Sequence, residues 1–415
     1  MWPAVEADVC IVGLGTAGAA AAVQCAKRGL KVIGLERRSL EQAGARWVNG
    51  VPRSAFDRSG IPRPVAPELR GEAGVFHLVA GWGPERLSLY DDEVLEVDMR
   101  HLVARLQDTA RQHGAQLRAD VQVTGFERAV GGQAAALETS AGPLAARYYV
   151  DASGLSGAGL LPGTALPAGD LCAAAQQVHA VVDLDAAQRF FRSHHAAPED
   201  ALCFTGLAGG YSILNVRLHC QGGAAPEVGI LTGTLPSLGF PSGKQLLDSF
   251  VAEHSWIGDK LFGAARAIPL RAPAKALVHG NVAGIGDSVS QVFAAHGSGI
   301  GVQLESSKLL AEAIAAGDLQ RYSAAWHAQF GATFRVYDWF RRFSQTLSDQ
   351  ELRRLLGSGL LDANSVLSGL RQELPAATGI LSVKKIARLA RQPWLLGRAA
   401  SVALSELRAR RAAVR

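Results

Sequence analysis

Three glycines at positions 13, 15 and 18, with Glu36 a further 18 residues along, have the spacing in this chain that points most directly to chemistry. In GLGTAG the first glycine permits a tight turn. The second lets backbone approach a pyrophosphate, and the third lets a helix pack closely on a strand. Thr16 and Ala17 open that helix, where free N–H groups and the positive dipole end face an anion. Glu36 can accept hydrogen bonds from a ribose diol, and its charge opposes a 2′-phosphate; Arg37 and Arg38 beside it could accept one. The set predicts a dinucleotide site. A second constellation lies at 280–301, GNVAGIGDSVSQVFAAHGSGIG. Its Gly286–Asp287 turn can set a carboxylate near a ribityl hydroxyl, and Gly297, Ser298 and Gly299 can lie against a flat ring. His296, just before that cluster, is the candidate catalytic residue, through a hydrogen bond or proton delivery. In YYVDASGLSGAG (148–159), Asp151, Ala152 and Gly154 end a strand in a small-residue turn suited to crossing a pyrophosphate.

These residues need a frame. Apolar runs at 9–12 and 32–35 read as buried parallel strands flanking an Ala-rich helix. Leu102, Val103, Leu106 and Ala110 recur at helical spacing within 97–115, a helix feeding a strand near Val123. Residues 41–95 read as irregular, and 165–280 as an antiparallel sheet with stretches such as 209–220 and 227–235. A helix is expected over 306–317, ending at Gly317, and 318–415 reads as mostly helical. The expected domains are 1–165 with 270–320, then 166–269, then 321–415.

GLGTAG, Glu36, VDASG and GIGDSVSQVFAAHGSGIG, in that order, resemble the FAD-dependent superfamily of aromatic-hydroxylase-type monooxygenases, geranylgeranyl reductases and flavin-dependent halogenases. The resemblance runs over about residues 6–320. It implies an α/β (α+β) architecture: a glutathione-reductase-type FAD-binding Rossmann fold, an interleaved antiparallel-sheet substrate domain and a helical C-terminal region. It places Gly13, Gly15, Thr16, Ala17 and Gly18 at the pyrophosphate, Glu36 at the adenosine ribose and the Val123 backbone at the adenine. Gly286 and Asp287 go to the pyrophosphate–ribityl stretch, and Gly297 to Ile300 to the isoalloxazine edge. Where the family often has proline, this chain has Ala294; where it commonly has arginine after Val-Asp, this chain has Met99, leaving Arg100 or Arg46 to steady the phosphates.

Composition bounds the rest. A chain of 415 residues, 48% hydrophobic and 19% charged, is an ordered globular protein with room for two interleaved subdomains. No apolar run is long enough to span a membrane, and no positively charged leader precedes the first strand. Five scattered cysteines without a CxxC pair argue against a disulfide framework or a dithiol partner and favour a cytoplasmic location. His179, His194 and His195 lack carboxylate partners at ligand spacing, so no metal is expected. The net charge of +5 gathers in residues 382–415, a basic amphipathic stretch able to touch an anionic membrane or to pack as a solvated face. It lacks interleaved stacking aromatics, which argues against nucleic acid.

The first expectation for function is a monooxygenase or oxidase on a hydrophobic or aromatic, secondary-metabolite-like small molecule. Trp47 and Asn49 would lie near the flavin, and Phe204 and Tyr211 would line the substrate pocket. NAD(P)H or a separate flavin reductase would supply electrons. The alternative is geranylgeranyl-reductase-like reduction of a prenyl or polyene lipid, although no cysteine occurs at 41–60, where that group carries one. Halogenation is disfavoured by the absence of lysine between Lys31 and Lys244 and of a WxWxIP pattern. A redox-neutral isomerase or cyclase retaining FAD is the remaining reading.

Overall fold

The computed structural model describes residues 4–72, 74–128, 134–155, 157–162, 166–220, 225–273, 275–374, 388–389 and 391–412, the last eight as backbone only. The chain divides into two compact units, residues 1–72, 93–171 and 267–335, and residues 73–92, 172–266 and 336–415.

The first unit is built on a six-stranded sheet in the order Val278–His279, Val282–Gly284, Ala145–Asp151, Val5–Val12, Val32–Leu35 and Gln116–Arg118. All neighbours are parallel except the first pair. The central strands read as unbroken apolar runs because they are covered on both faces. Thr16–Ala26 is buried at every position; its alanines let it pack closely on Ile300–Ala315 and Met99–Gln112. Register decides what this sheet can do. Val12 pairs with Leu35 on one side and Asp151 on the other, and Asp151 pairs with Gly284. Three loops and Glu36 therefore leave the same carboxyl edge, where ligands of open parallel sheets bind.

The second unit holds a seven-stranded sheet, with Glu227–Thr234 and Ser212–His219 at its centre and Gly74–Ala80 and Arg86–Asp91 at one side. Glu227–Thr234 pairs antiparallel with Leu171–Val181 and with Ser212–His219, as do Ser212–His219 with Ala201–Thr205 and Gly74–Ala80 with Arg86–Asp91, whereas Ala201–Thr205 and Gly74–Ala80 are parallel. Alternate residues of the strands, among them Leu202, Phe204, Leu214, Val216, Val228 and Ile230, form a core under the helices Leu184–Ser193 and Gly243–Glu253. Phe343, Leu347, Leu352, Leu355 and Leu395 make a smaller core among the C-terminal helices.

The structure departs from expectation in four places. Residues 41–95 contain five short strands and a helix, hidden in the sequence by Gly, Pro and Arg punctuation. Residues 74–91 belong to the second unit's sheet because Gly74–Ala80 pairs with Ala201–Thr205. Residues 336–415 cluster with that unit rather than standing apart. The helix expected from 306 begins at Ile300, inside the glycine cluster.

Candidate functional site

Gly13 takes φ +93°, and a Cβ built there would lie 2.5 Å from the Ala152 carbonyl oxygen. One at Gly18 would collide with the Gly13 carbonyl and come within 3.1 Å of the Ala152 Cβ. At Gly286, φ is +79° and a Cβ would meet the Ala17 side chain at 2.9 Å. The turn at 13–18, the loop after Asp151 and the loop after Gly284 thus touch one another. Gly15 caps Thr16–Ala26 without a side-chain hydrogen bond and no acid occupies the first turn. Thr16, Ala17 and Gly18 there direct their N–H groups outside the helix ladder, an arrangement that suits an anion.

Glu36 is buried; its carboxylate accepts from Leu14 N at 3.0 Å and Arg38 N at 3.2 Å. The same residue that could take a ribose diol therefore fixes the turn. Arg37 is exposed, as is Arg46, whose guanidinium donates to the Glu41 carbonyl at 2.5 Å. Arg100 instead pairs with buried Asp98, at 2.6 Å. Val123 opens the strand Val123–Arg128, which among the described residues pairs with Ala134–Thr139 in a two-stranded sheet. The segment that reaches Glu36 is two residues earlier, where Val121 N donates to the Glu36 carbonyl at 2.9 Å.

Asp151 turns inward. Its carboxylate accepts from Ser153 N at 3.1 Å, from the Ser153 hydroxyl and from Leu160 N at 3.2 Å. Burial pushes its pKa up, against the pull of those bonds. Its side chain therefore shapes the turn that carries Ala152 and Gly154, the latter at φ +79°. Ser288 Oγ donates to the Asp151 carbonyl at 2.7 Å and ties that turn to the 286–291 loop.

Asp287 is half-buried and receives Gln303 Nε2 at 3.2 Å. Gly297, at φ +76°, allows Phe293 N to bond the Ser298 carbonyl at 2.8 Å while Gly297 N bonds that of Phe293. Gly299 leads into the helix at Ile300. His296 is half-buried, its ring 4.9 Å from that of Phe293 and its Nδ1 receiving Ser298 N at 3.3 Å. Ser298 Oγ reaches the Gly50 carbonyl at 3.4 Å, which brings Val48–Pro52, with Asn49, beside this loop. Trp47 immediately precedes that strand and is buried.

Phe204 and Tyr211 are separated. Phe204 is fully buried on the helix-covered face of the second sheet, so its expected place in a substrate pocket is corrected. In a strand, neighbours point to opposite faces, and Cys203, Ile213, Asn215 and Leu231 share the other face by register. Tyr211 keeps step with Ile213; burial raises its pKa well above the ordinary tyrosine value, with Cys172 and Cys203 nearby. Asn215 Oδ1 is buried there without a hydrogen-bond partner among the described residues.

Several supporting residues escaped the sequence reading. Gln107 Nε2 holds the Leu14 and Leu40 carbonyls at 3.0 and 3.2 Å. Gln291 bonds Gly286 N and, through Nε2, the Tyr322 hydroxyl. Gly44, at φ +76°, lies against Gly15. His179 bonds the Gly258 carbonyl and Gln177, and His194 the Phe190 carbonyl. Most of 382–392 lies outside the described residues; Arg398, further on, pairs with Glu351 at 3.1 Å. Among the described residues, no helix is long and apolar enough to cross a membrane.

Comparison with known proteins adds to this geometry. A family model described as FAD dependent oxidoreductase matches residues 8–201. A digeranylgeranylglycerophospholipid reductase of Methanopyrus kandleri is 25% identical over 417 residues, covering 94% of this chain and 98% of its own. The crystal structure of a geranylgeranyl bacteriochlorophyll reductase-like protein from Thermoplasma acidophilum superposes with a TM-score of 0.71 at 16% identity, covering 94% of this chain and 99% of that one. PqsL, a probable FAD-dependent monooxygenase from Pseudomonas aeruginosa, gives a TM-score of 0.59 at 14% identity, over 85% of this chain and 99% of its own.

Proposed function

We propose that this chain works as a reductase among the FAD-dependent oxidoreductases, whose family model matches residues 8–201, and that it reduces carbon–carbon double bonds in a prenyl-type lipid. The observation that carries this reading is the extent of the reductase match, which takes in 94% of this chain and so reaches well beyond the dinucleotide-binding motifs.

In this reading bound FAD supplies the reducing electrons. Thr16, Ala17 and Gly18 hold its pyrophosphate with backbone N–H groups, Glu36 accepts from the adenosine ribose, and Asp287 from the ribityl chain. Ala152 and Gly154 give the phosphates room, and Gly297 to Ile300 border the ring with backbone. Arg46, on the surface, would have to release the Glu41 carbonyl to reach a phosphate. His296 stands next to that border, where an imidazole can pass a proton to a substrate carbon or to the ring. In the second unit, Cys203, Ile213 and Leu231 share one sheet face, where a Cβ on Gly233 would come within 3.1 Å of the Cys172 sulfur; such a low, apolar face suits a polyisoprenoid chain.

The test is anaerobic incubation of the FAD-loaded protein with a chemical reductant and a geranylgeranyl lipid, followed by mass spectrometry. Addition of hydrogen pairs to the lipid is expected. Unchanged lipid together with reoxidation of the flavin only when oxygen is admitted would contradict it. A second reading, oxygen insertion into a hydrophobic small molecule with NAD(P)H or a flavin reductase as donor, is favoured by one feature: Trp47 and no cysteine stand in 41–60. The same assay run in air separates them, because insertion adds oxygen rather than hydrogen.

A further inference from the structure

Gln291 and Tyr322 are fully buried, and their polar groups join in one chain of hydrogen bonds. Gly286 N donates to Gln291 Oε1 at 2.9 Å, Gln291 Nε2 donates to the Tyr322 hydroxyl at 2.8 Å, and that hydroxyl donates to the Gly284 carbonyl at 3.1 Å. Both ends fix its direction. A backbone N–H only donates, so the Gln291 amide turns its oxygen to Gly286 and its nitrogen to Tyr322. A carbonyl only accepts, so the tyrosine proton points at Gly284. Burial lifts the Tyr322 pKa above the ordinary tyrosine value, which keeps that proton in place. The chain leaves and re-enters the same turn, two residues apart, by way of the helix Gln320–Ser344. That turn carries Asp287 and lies against the other loops. A Cβ on Gly286 would meet the Ala17 side chain at 2.9 Å, and one on Gly299 would lie 2.8 Å from the Gln291 carbonyl oxygen. A shift of Gly286 or Gln291 therefore disturbs the contacts with both 13–18 and 297–300.

We infer that Tyr322 is a positioning residue for the cofactor: through Gln291 it sets the Gly286–Asp287 turn in the form that receives FAD. This rests on the reading that these loops form one cradle. Tyr322 and Gln291 act through the turn and make no contact with FAD themselves. Without the tyrosine hydroxyl, the buried Gln291 amide and the Gly284 carbonyl each lose a partner, and the turn relaxes to recover them. FAD must then reorder the turn as it binds, which lowers its affinity.

Apoprotein is titrated with FAD and binding is followed by flavin fluorescence, for the unaltered chain, Tyr322→Phe, Gln291→Leu, their double variant, Tyr149→Phe and Asp287→Ala. Tyr149→Phe controls for stability alone. Its buried hydroxyl also accepts from a backbone N–H, that of Ala146 at 2.9 Å, and donates to a carbonyl, that of Ala135 at 3.0 Å. Tyr322→Phe is expected to raise the Kd about 10-fold. Tyr149→Phe should leave it within about 2-fold at a comparable drop in apoprotein melting temperature. The double variant is expected to bind no more weakly than the weaker single one, because both break one relay. An unchanged Kd for Tyr322→Phe, a rise that Tyr149→Phe reproduces, or effects of Tyr322→Phe and Gln291→Leu that multiply in full would each overturn the inference. The cradle is tested separately: failure of the unaltered chain to bind FAD, or unaltered binding by Asp287→Ala, overturns that reading instead.

Discussion

A methyl group at Gly13 would stand 2.5 Å from the Ala152 carbonyl oxygen on a backbone held at φ +93°. Gly13→Ala therefore meets both a clash and a strained conformation, and is expected to cost about 1–3 kcal/mol. Urea unfolding monitored by circular dichroism measures the cost, and the purified variant should carry less FAD than the parent. Residues of this kind are legible in a sequence because a turn admits only glycine. Gln107, Gln291 and Tyr322 are not legible, since each bonds a group fixed by the fold and, for Gln107, 93 positions away. The fate of Phe204 has a related cause. Its aromatic character indicates burial but not the side, and the side is set by pairing between Phe204 and Leu214.

Among elements, the helix Ile300–Ala315 is held to the short helix Arg53–Ser59 by one ion pair. Arg58 Nε and Nη2 reach the two Glu305 oxygens at 2.8 and 3.0 Å, and Gln329 Nε2 adds a bond at 2.7 Å. Burial pushes the Glu305 carboxyl above the ordinary range, while Arg58 restrains the rise. A raised acid contributes stability that is complete below its unfolded pKa and lost as pH climbs through its folded one. Arg58→Ala lifts the folded value further. Its cost is expected to be small in acid, where Glu305 is protonated, and to reach on the order of 1–3 kcal/mol near neutrality. Denaturant melts across that pH range check this; a constant difference between variant and parent would contradict it. The βαβ unit and the long helix Met99–Gln112 follow from apolar periodicity. The small strands of 48–98 do not, because three- to seven-residue elements hold too little pattern to register, and the helix start at Ile300 does not because it falls inside the glycine cluster.

At the scale of the whole molecule, the parallel sheet supplies one edge and the loops supply the chemistry. The cofactor class was legible because a dinucleotide site demands glycines at fixed spacing. The substrate was not, because side chains lining a sheet come from strands paired at long range, as Cys203, Asn215 and Leu231 are. The proposed reduction of a lipid, in place of the oxygenation expected first, rests on the length of the reductase match rather than on any one residue. The central claim is that segments 13–18, 151–154 and 286–300 close on a single FAD. Hydrogen–deuterium exchange of the apoprotein, with and without FAD, measures this directly. Slowed exchange in all three segments at the same FAD concentration is the predicted result; slowing confined to one of them, or none at saturating FAD, would contradict it.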